Sequence, residues 1–475
     1  MICLVMGALM RWLWPPVNRL GAPPFGDPMG LNGTPSPPRP ADPCYAPTGL
    51  VLASDRARVS AKRPCFGQPE PVALRMALER RILLWMCVLV AVNQLGFGAV
   101  VPSLALYAQS FGVPASAIGL AVGIYGLARF STAVPAGQLS DRIGRRPTLA
   151  LGGLLSALGN LWCAWASGYL EFIAARFVAG AGAGLILTTG QVVLADISTP
   201  ARRARTIAIY QGSFLFAVGI GPLPGGLLAE HLGLPAPFVA CGSASLFAAL
   251  VAWFGVSETR GLTRGTAAEY AATALPFATQ VRLLTGKIGL LLVGLIALMN
   301  AVVRTGGLFA IIPILGTARL GLSVGAIGTA IMLGSLFGLI AAYPAGAVAD
   351  RFGRKPVIVA ATVMTGGSML LFALAGSYLA FIAASIVWGV ASSVGAAAPA
   401  AYAADSAAPG MNAAAMSLYR MTADAGYVIG PLALGLIADA HGPIAALFVS
   451  AALLVLSGAA FALVAPETYR SKAAM

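Results

Sequence analysis

A carboxyl group held inside an apolar stretch can load and release a proton if its surroundings tune it. Asp424 is such a group: it lies well inside the apolar run 414–438, with Arg420 one helical turn before it. Burial disfavours the charged form and raises a carboxyl pKa, whereas a nearby guanidinium lowers it. Arg304, in the middle of the run 288–312, is the strongest candidate counter-ion. Arg129, in the run 117–137, is similar but stands nearer a basic loop. Arg176 lies about six residues inside the run 169–192, where lipid would be costly, so it should face a protein interior or water. Asn93 and Gln94 can hydrogen-bond a bound molecule but cannot exchange a proton at ordinary pH. The alternatives are structural: a static ion pair joining helices for Asp424, and snorkelling toward headgroups beside Glu171 for Arg176.

These residues need long apolar helices to hold them, and the composition supplies little else. The chain of 475 residues is 58% hydrophobic and 10% charged, with a mean hydropathy of +0.84, which is wrong for a soluble protein of this size. Stretches long enough to span a bilayer run 82–102, 117–137, 147–166, 169–192, 206–229 and 236–256, then 288–312, 324–345, 356–375, 378–401, 414–438 and 443–464. Basic residues gather after the even-numbered helices (Arg142, Arg145, Arg146; Arg202, Arg203, Arg205; Arg351, Arg354, Lys355), so both termini are expected on the cytoplasmic side. The formal charge of +14 is explained by these loops, and no nucleic-acid partner is expected. The six Cys have no metal spacing, so neither a metal site, a disulfide nor a cofactor is indicated. Residues 1–81, rich in Pro and Gly from Pro15 to Pro71, read as a disordered extension, with Met76 a candidate physiological start. Residues 257–287 read as a cytoplasmic linker between an N-terminal bundle (82–256) and a C-terminal bundle (288–464), and 465–475 as a tail.

One charged stretch occurs twice. Gly137, Asp141, Arg142, Gly144, Arg145 and Pro147 recur at a constant offset of 209 residues as Gly346, Asp350, Arg351, Gly353, Arg354 and Pro356. The offset also relates Asp196 to Asp405, Gly221-Pro222 to Gly430-Pro431, and Glu230 to Asp439. Six helices per unit is an even number, so the two units enter the membrane from the same side as parallel repeats. Arg176 has Ser385 as its copy, so it belongs to one half only.

The doubled stretch resembles motif A of the major facilitator superfamily, over roughly residues 80–465. The resemblance implies an all-α membrane protein of the major facilitator fold, with 12 transmembrane helices in two pseudo-symmetric six-helix bundles. It implies a gating role for Gly137, Asp141, Arg142, Gly144, Arg145, Arg146 and Asp196, and for Gly346, Asp350, Arg351, Gly353, Arg354 and Asp405. Asp196 and Asp405 are then the expected partners of Arg145 and Arg354, while Gly137 and Gly346 would let a neighbouring helix approach. Arg176 followed by small residues matches motif B, which implies a place near a proton or substrate path. Gly221, Pro222, Gly225 and Gly226 resemble the antiporter motif C, although Ala217 and Ala208 stand where its fuller pattern has glycine. The expected function is alternating-access efflux of small hydrophobic or cationic compounds in exchange for protons; the alternative is proton-linked transport of a metabolite such as a sugar or organic acid. The expected setting is the plasma (bacterial inner) membrane, with a small-molecule substrate, protons and the lipid bilayer as partners, and a monomer as the unit. No phosphate-binding loop is present to use ATP, and an enzyme is not expected.

Overall fold

The computed structural model describes residues 72–198, 203–260, 277–406 and 412–467. Among the described residues twelve helices are long and apolar enough to cross a bilayer. They are α1 (Val72–Gln109), α2 (Ala115–Ile143), α3 (Arg145–Ala164), α4 (Tyr169–Ile197), α5 (Arg203–Ile220, continuing as Pro222–Leu232) and α6 (Ala236–Gly255). The second set is α7 (Ile288–Leu320, with a π-helical segment Val303–Ile311), α8 (Val324–Phe352), α9 (Arg354–Leu374), α10 (Tyr378–Ser406), α11 (Asn412–His441) and α12 (Pro443–Val464). A short helix, Phe277–Thr285, precedes α7. Among the described residues there is no strand.

The breaks have local causes. Gly144 and Gly353 end α2 and α8 at φ +106° and +94°, a backbone region that a side chain would strain. Pro222 has no N–H to give, and α5 is interrupted at Gly221. In α7 the Ile312 N–H bonds the Gly307 carbonyl, the wider turn of a π-helix, just before Pro313 removes the next donor.

α1 begins at Val72, so the stretch 72–81, placed by hydropathy in the extension, forms the first turns of a helix. Its charges, Arg75, Glu79, Arg80 and Arg81, hide it from a search for apolar runs without preventing helix formation. The rest of the extension, Cys3, Cys44 and Cys65, linker residues 261–276 and the tail from 468 lie outside the described residues.

Within the first half α3 packs on α4 and α6, and α2 on α4; within the second α8 and α9 pack on α10, and α9 on α12. The halves share individual bonds. Tyr169 donates to the Ala117 carbonyl at 2.7 Å, and its copy Tyr378 donates to Ala326, the copy of Ala117, at 3.1 Å. Phe172 and its copy Phe381 are each fully buried against aromatic neighbours. Contacts between the halves run along α2 with α11 and α5 with α8.

Candidate functional site

At the basic end Arg145 bonds Asp196 at 2.9 Å, Asp141 at 2.8 Å and the Ser140 carbonyl at 3.0 Å. Its copy Arg354 lies 2.7 Å from Asp405, an ionic contact rather than a directed hydrogen bond. Both expected pairs are therefore in contact. Arg146 lies over the Trp253 ring at 5.0 Å, and the Arg142 carbonyl accepts from Arg260 at 2.9 Å. Among the described residues nothing lies within 4 Å of a side chain built at Gly137, so the expected close approach of a neighbouring helix is not seen there. Gly346 and the side chains of Asp350 and Arg351 fall outside the described set.

A second carboxylate at this end was missed from sequence. Glu258 accepts the N–H groups of Arg145 (3.0 Å), Arg146 (3.2 Å), Thr259 (3.1 Å) and Arg260 (3.1 Å), and so caps the first turn of α3. Partial burial pushes the Glu258 carboxyl up, yet the N–H groups of Arg145, Arg260, Arg146 and Thr259 outweigh it and hold the group below its ordinary value. Gly144 leaves room for it, since a side chain there would strike the Glu258 carboxylate. Glu467 caps α9 in the same way, accepting from Arg354 at 3.3 Å and Lys355 at 3.1 Å. The signal was present: Glu258-Thr259 and Glu467-Thr468 obey the repeat offset.

Midway along the helices Arg129 of α2 meets Asp424 of α11 at 2.9 Å and lies over the Tyr427 ring at 4.7 Å. The carboxylate partner is thus Arg129, not Arg304: α7 also packs on α11, but the Arg304 guanidinium makes no ion pair with Asp424 among the described residues. Arg129 stays at mid-helix rather than reaching the basic surface. Arg420 meets the Gln191 amide at 2.6 and 2.9 Å instead of Asp424. Arg304 lines a partly open cavity of about 180 Å³ bordered by α7, α9, α10 and α11, with Asn300, Thr365, Trp388, Ser392 and Tyr419. It takes no hydrogen bond or ion pair among the described residues.

Arg176 is 1% exposed, so it does not snorkel; Glu171 instead binds Trp162 and Ser167. Its Nε donates to the Ala121 carbonyl at 3.2 Å, its guanidinium covers the Tyr125 ring at 4.4 Å, and its Nη2 has no partner. Asn93 and Gln94 bond each other at 3.1 Å, and Asn93 accepts from Ser245, itself 3.1 Å from Ser156. That buried network ties α1 to α6 and α3; it does not line the Arg304 cavity.

Beyond Asp424 the halves close. Phe97 stacks on Tyr125 at 5.5 Å and meets Phe309 edge-on at 6.4 Å, bringing α1, α2 and α7 together. At the acidic end Asp439 of α11 accepts the N–H groups of Ala115 (2.7 Å) and Ser116 (2.9 Å) at the start of α2. Its copy Glu230 of α5 accepts the Ser323 hydroxyl (3.0 Å) and the Gly325 N–H (3.1 Å) at the start of α8. Gly221 and Gly225 pack on Gly98 and Ala99 of α1, while Gly226 packs across the halves on Val324 and Gly325. Its copy Gly435 packs on Ala115 and Ser116.

The two repeated halves are closed together at one end and tied by an ion pair at mid-depth. The sequence profile of the Major Facilitator Superfamily matches residues 86–338 and 290–474. The chain belongs to that superfamily. It is a membrane transporter for small molecules, not an enzyme. It is 23% identical over 350 residues to an uncharacterised MFS-type transporter of Methanocaldococcus jannaschii, covering 74% of this chain and 89% of that one. It is 24% identical over 267 residues to the multidrug resistance protein MdtL of Shewanella oneidensis, covering 56% of this chain and 65% of that one. Its fold matches a bacterial homologue of the human lysosomal transporter Spinster, solved inward-facing and unoccupied, with a TM-score of 0.67 and 16% identity over 81% of this chain and 96% of that one.

For this superfamily member the asymmetric polar groups are Arg129, Arg304 and Asp424 at the centre, and Arg176 in α4. The symmetric groups lie at the two ends.

Proposed function

We propose that the protein couples movement of a small organic molecule to a proton carried by Asp424. The observation that carries the reading is the Arg129–Asp424 pair, which joins α2 to α11 across the halves at 2.9 Å. Protonating the carboxylate removes its charge and its acceptor role toward Arg129, so proton loading weakens a tie that holds the acidic end closed. The positive-inside rule puts the basic end in the cytoplasm and both termini with it, in a plasma (bacterial inner) membrane. In that orientation the closed end faces outward, and one chain suffices as the transport unit.

Export of hydrophobic or cationic compounds in exchange for protons is the first reading. Its support is the glycine–proline break of α5, which resembles the antiporter motif, and the name of the MdtL relative. Cotransport of an organic acid with the proton is a second reading, favoured by Arg304, a cation facing the cavity with no carboxylate of its own. The two differ in sign: exchange needs proton and cargo to compete, cotransport needs them to bind together. Asp424→Asn tests what they share. It should abolish pH-driven accumulation in inverted vesicles while sparing counterflow of unlabelled substrate; unchanged pH-driven accumulation refutes the assignment.

A further inference from the structure

We propose that the cavity beside Arg304 selects an organic anion, with the guanidinium taking the anionic group and Trp388 and Tyr419 taking an apolar or aromatic body. The inference rests on the cavity being the cargo site, and it develops the second reading above.

Three observations support it. Arg304 sits in the π-helical segment of α7, a turn that turns its side chain out of the regular α-helical register. It lines the cavity and is open to it, although it lies at the middle of a membrane-length helix. The other lining residues named above are apolar, aromatic or neutral polar, and no carboxylate among the described residues borders the cavity. An unneutralised guanidinium in such a place is costly unless something charged joins it. A carboxylate, sulfonate or phosphate group matches its planar fork of donors. An amine would instead meet like charge.

The surrounding charges fix how protons enter. Arg129 from α2 pairs with Asp424, and both lie near enough to Arg304 to act on its charge, as do Tyr419 and Tyr427 of α11. While Asp424 is ionised, Arg129 is engaged and Arg304 alone offers a free positive charge. When Asp424 is protonated, Arg129 is released as well, and the attraction for an anion rises. By reciprocity the bound anion then favours the proton.

The test uses the full-length protein in lipid nanodiscs and three probes of one shape: naphthoate, naphthamide and naphthylmethylammonium. Binding is read by quenching of tryptophan fluorescence and by equilibrium dialysis. Naphthoate should bind at least about tenfold tighter than the amide, and the amine weakest, as a charge-assisted pair in place of a neutral one requires. Arg304→Gln should remove the carboxylate advantage and leave the amide unchanged, with Arg304→Lys intermediate. Equal binding of amine and carboxylate, or a loss in Arg304→Gln shared equally by carboxylate and amide, overturns the proposal. Asp424→Asn, which takes the place of the neutral acid and releases Arg129, should also bind naphthoate more tightly than wild type does. Anion selectivity with no gain in Asp424→Asn would support the Arg304 site while removing the coupling to Asp424, so the two readings fail separately.

Discussion

Replacing Glu230 and Asp439 together by Ala, which removes both acceptors, should open the acidic end. Each carboxylate bonds only across the halves in the described contacts: Asp439 caps α2, and Glu230 caps α8. Once the halves part, the carboxylates and the freed N–H groups are hydrated, so the caps stabilise the closed state alone. Asp439 and the Glu230–Ser323 contact are exposed, and solvent discounts the full strength of a charged hydrogen bond. A cap at a helix N-terminus contributes about 1 kcal/mol. Losing both therefore costs about 2 kcal/mol, which shifts the closed-to-open ratio by roughly thirtyfold. Spin labels on Ser167→Cys and Ser377→Cys, exposed at the acidic end of each half, would report the distance distribution after Cys3, Cys44 and Cys65 are replaced. Cys87, Cys163 and Cys241 are buried and can stay. A long-distance population that grows in the double variant, with each single variant giving about half the free-energy change, is expected. An unchanged distribution in the double variant would refute the caps as the closing device.

Further outcomes follow from the other contacts. Gly225→Val should prevent stable folding, seen as loss of the monodisperse peak in detergent, because a side chain there strikes the Ala99 backbone; Gly137→Val, with open space around it, should fold normally. Glu258 is held below its ordinary pKa of 4.5, so its contribution to stability is complete above that value and is lost as pH falls through the lowered one. Thermal melts should therefore show a steeper acid loss in wild type than in Glu258→Gln below about pH 4.5. Arg145→Ala should leave the buried Asp196 without its guanidinium and lower the melting temperature more than Arg354→Ala, whose partner Asp405 is more exposed.

The helices and their pairing into halves were legible because a membrane span is a simple demand: enough consecutive apolar residues, with charge confined to the ends. Asp196 and Asp405 could be paired with their arginines because the doubled stretch resembles a known family motif, and the resemblance implied that pairing. Side-chain direction was not legible. Placing Asp424 and Arg304 in two spans says nothing of whether α7 or α2 presents its arginine to α11, and the π-helical turn in α7 is what redirects that register. Glu258 was overlooked because it lies just past the apolar run that ends α6, where a carboxylate looks like an ordinary loop residue. Gly137 differs: a glycine in a helix suggests close packing, but among the described residues nothing packs on it.

The repeat separates motion from selectivity. Closure at the acidic end uses copied residues: Glu230 with Asp439, Gly226 with Gly435, and the starts of α8 and α2. Symmetric clasps can release together, which suits rocking of one half against the other. The centre breaks the repeat: Arg304 has Leu95 as its copy, Asp424 has Leu215, Arg129 has Gly338, and Arg176 has Ser385. The aromatic closure breaks it too, since Phe97, Tyr125 and Phe309 correspond to Gly306, Gly334 and Val100. A charge repeated in both halves would face its own like at the pseudo-symmetry axis, and two arginines or two aspartates there would repel in a medium that screens little. One half therefore carries the acid and a free cation in α11 and α7, and the other supplies Arg129 to meet the acid. Moving the pair, by exchanging Arg129→Asp with Asp424→Arg, keeps its charge and its inter-half contact but places the carboxyl on α2. The swapped protein should retain closure of the acidic end in the spin-label distances. Its cargo binding should change, because the protonatable group has left the helix that borders the Arg304 cavity. Unchanged binding and pH dependence in the swap would show that the position of the acid is immaterial.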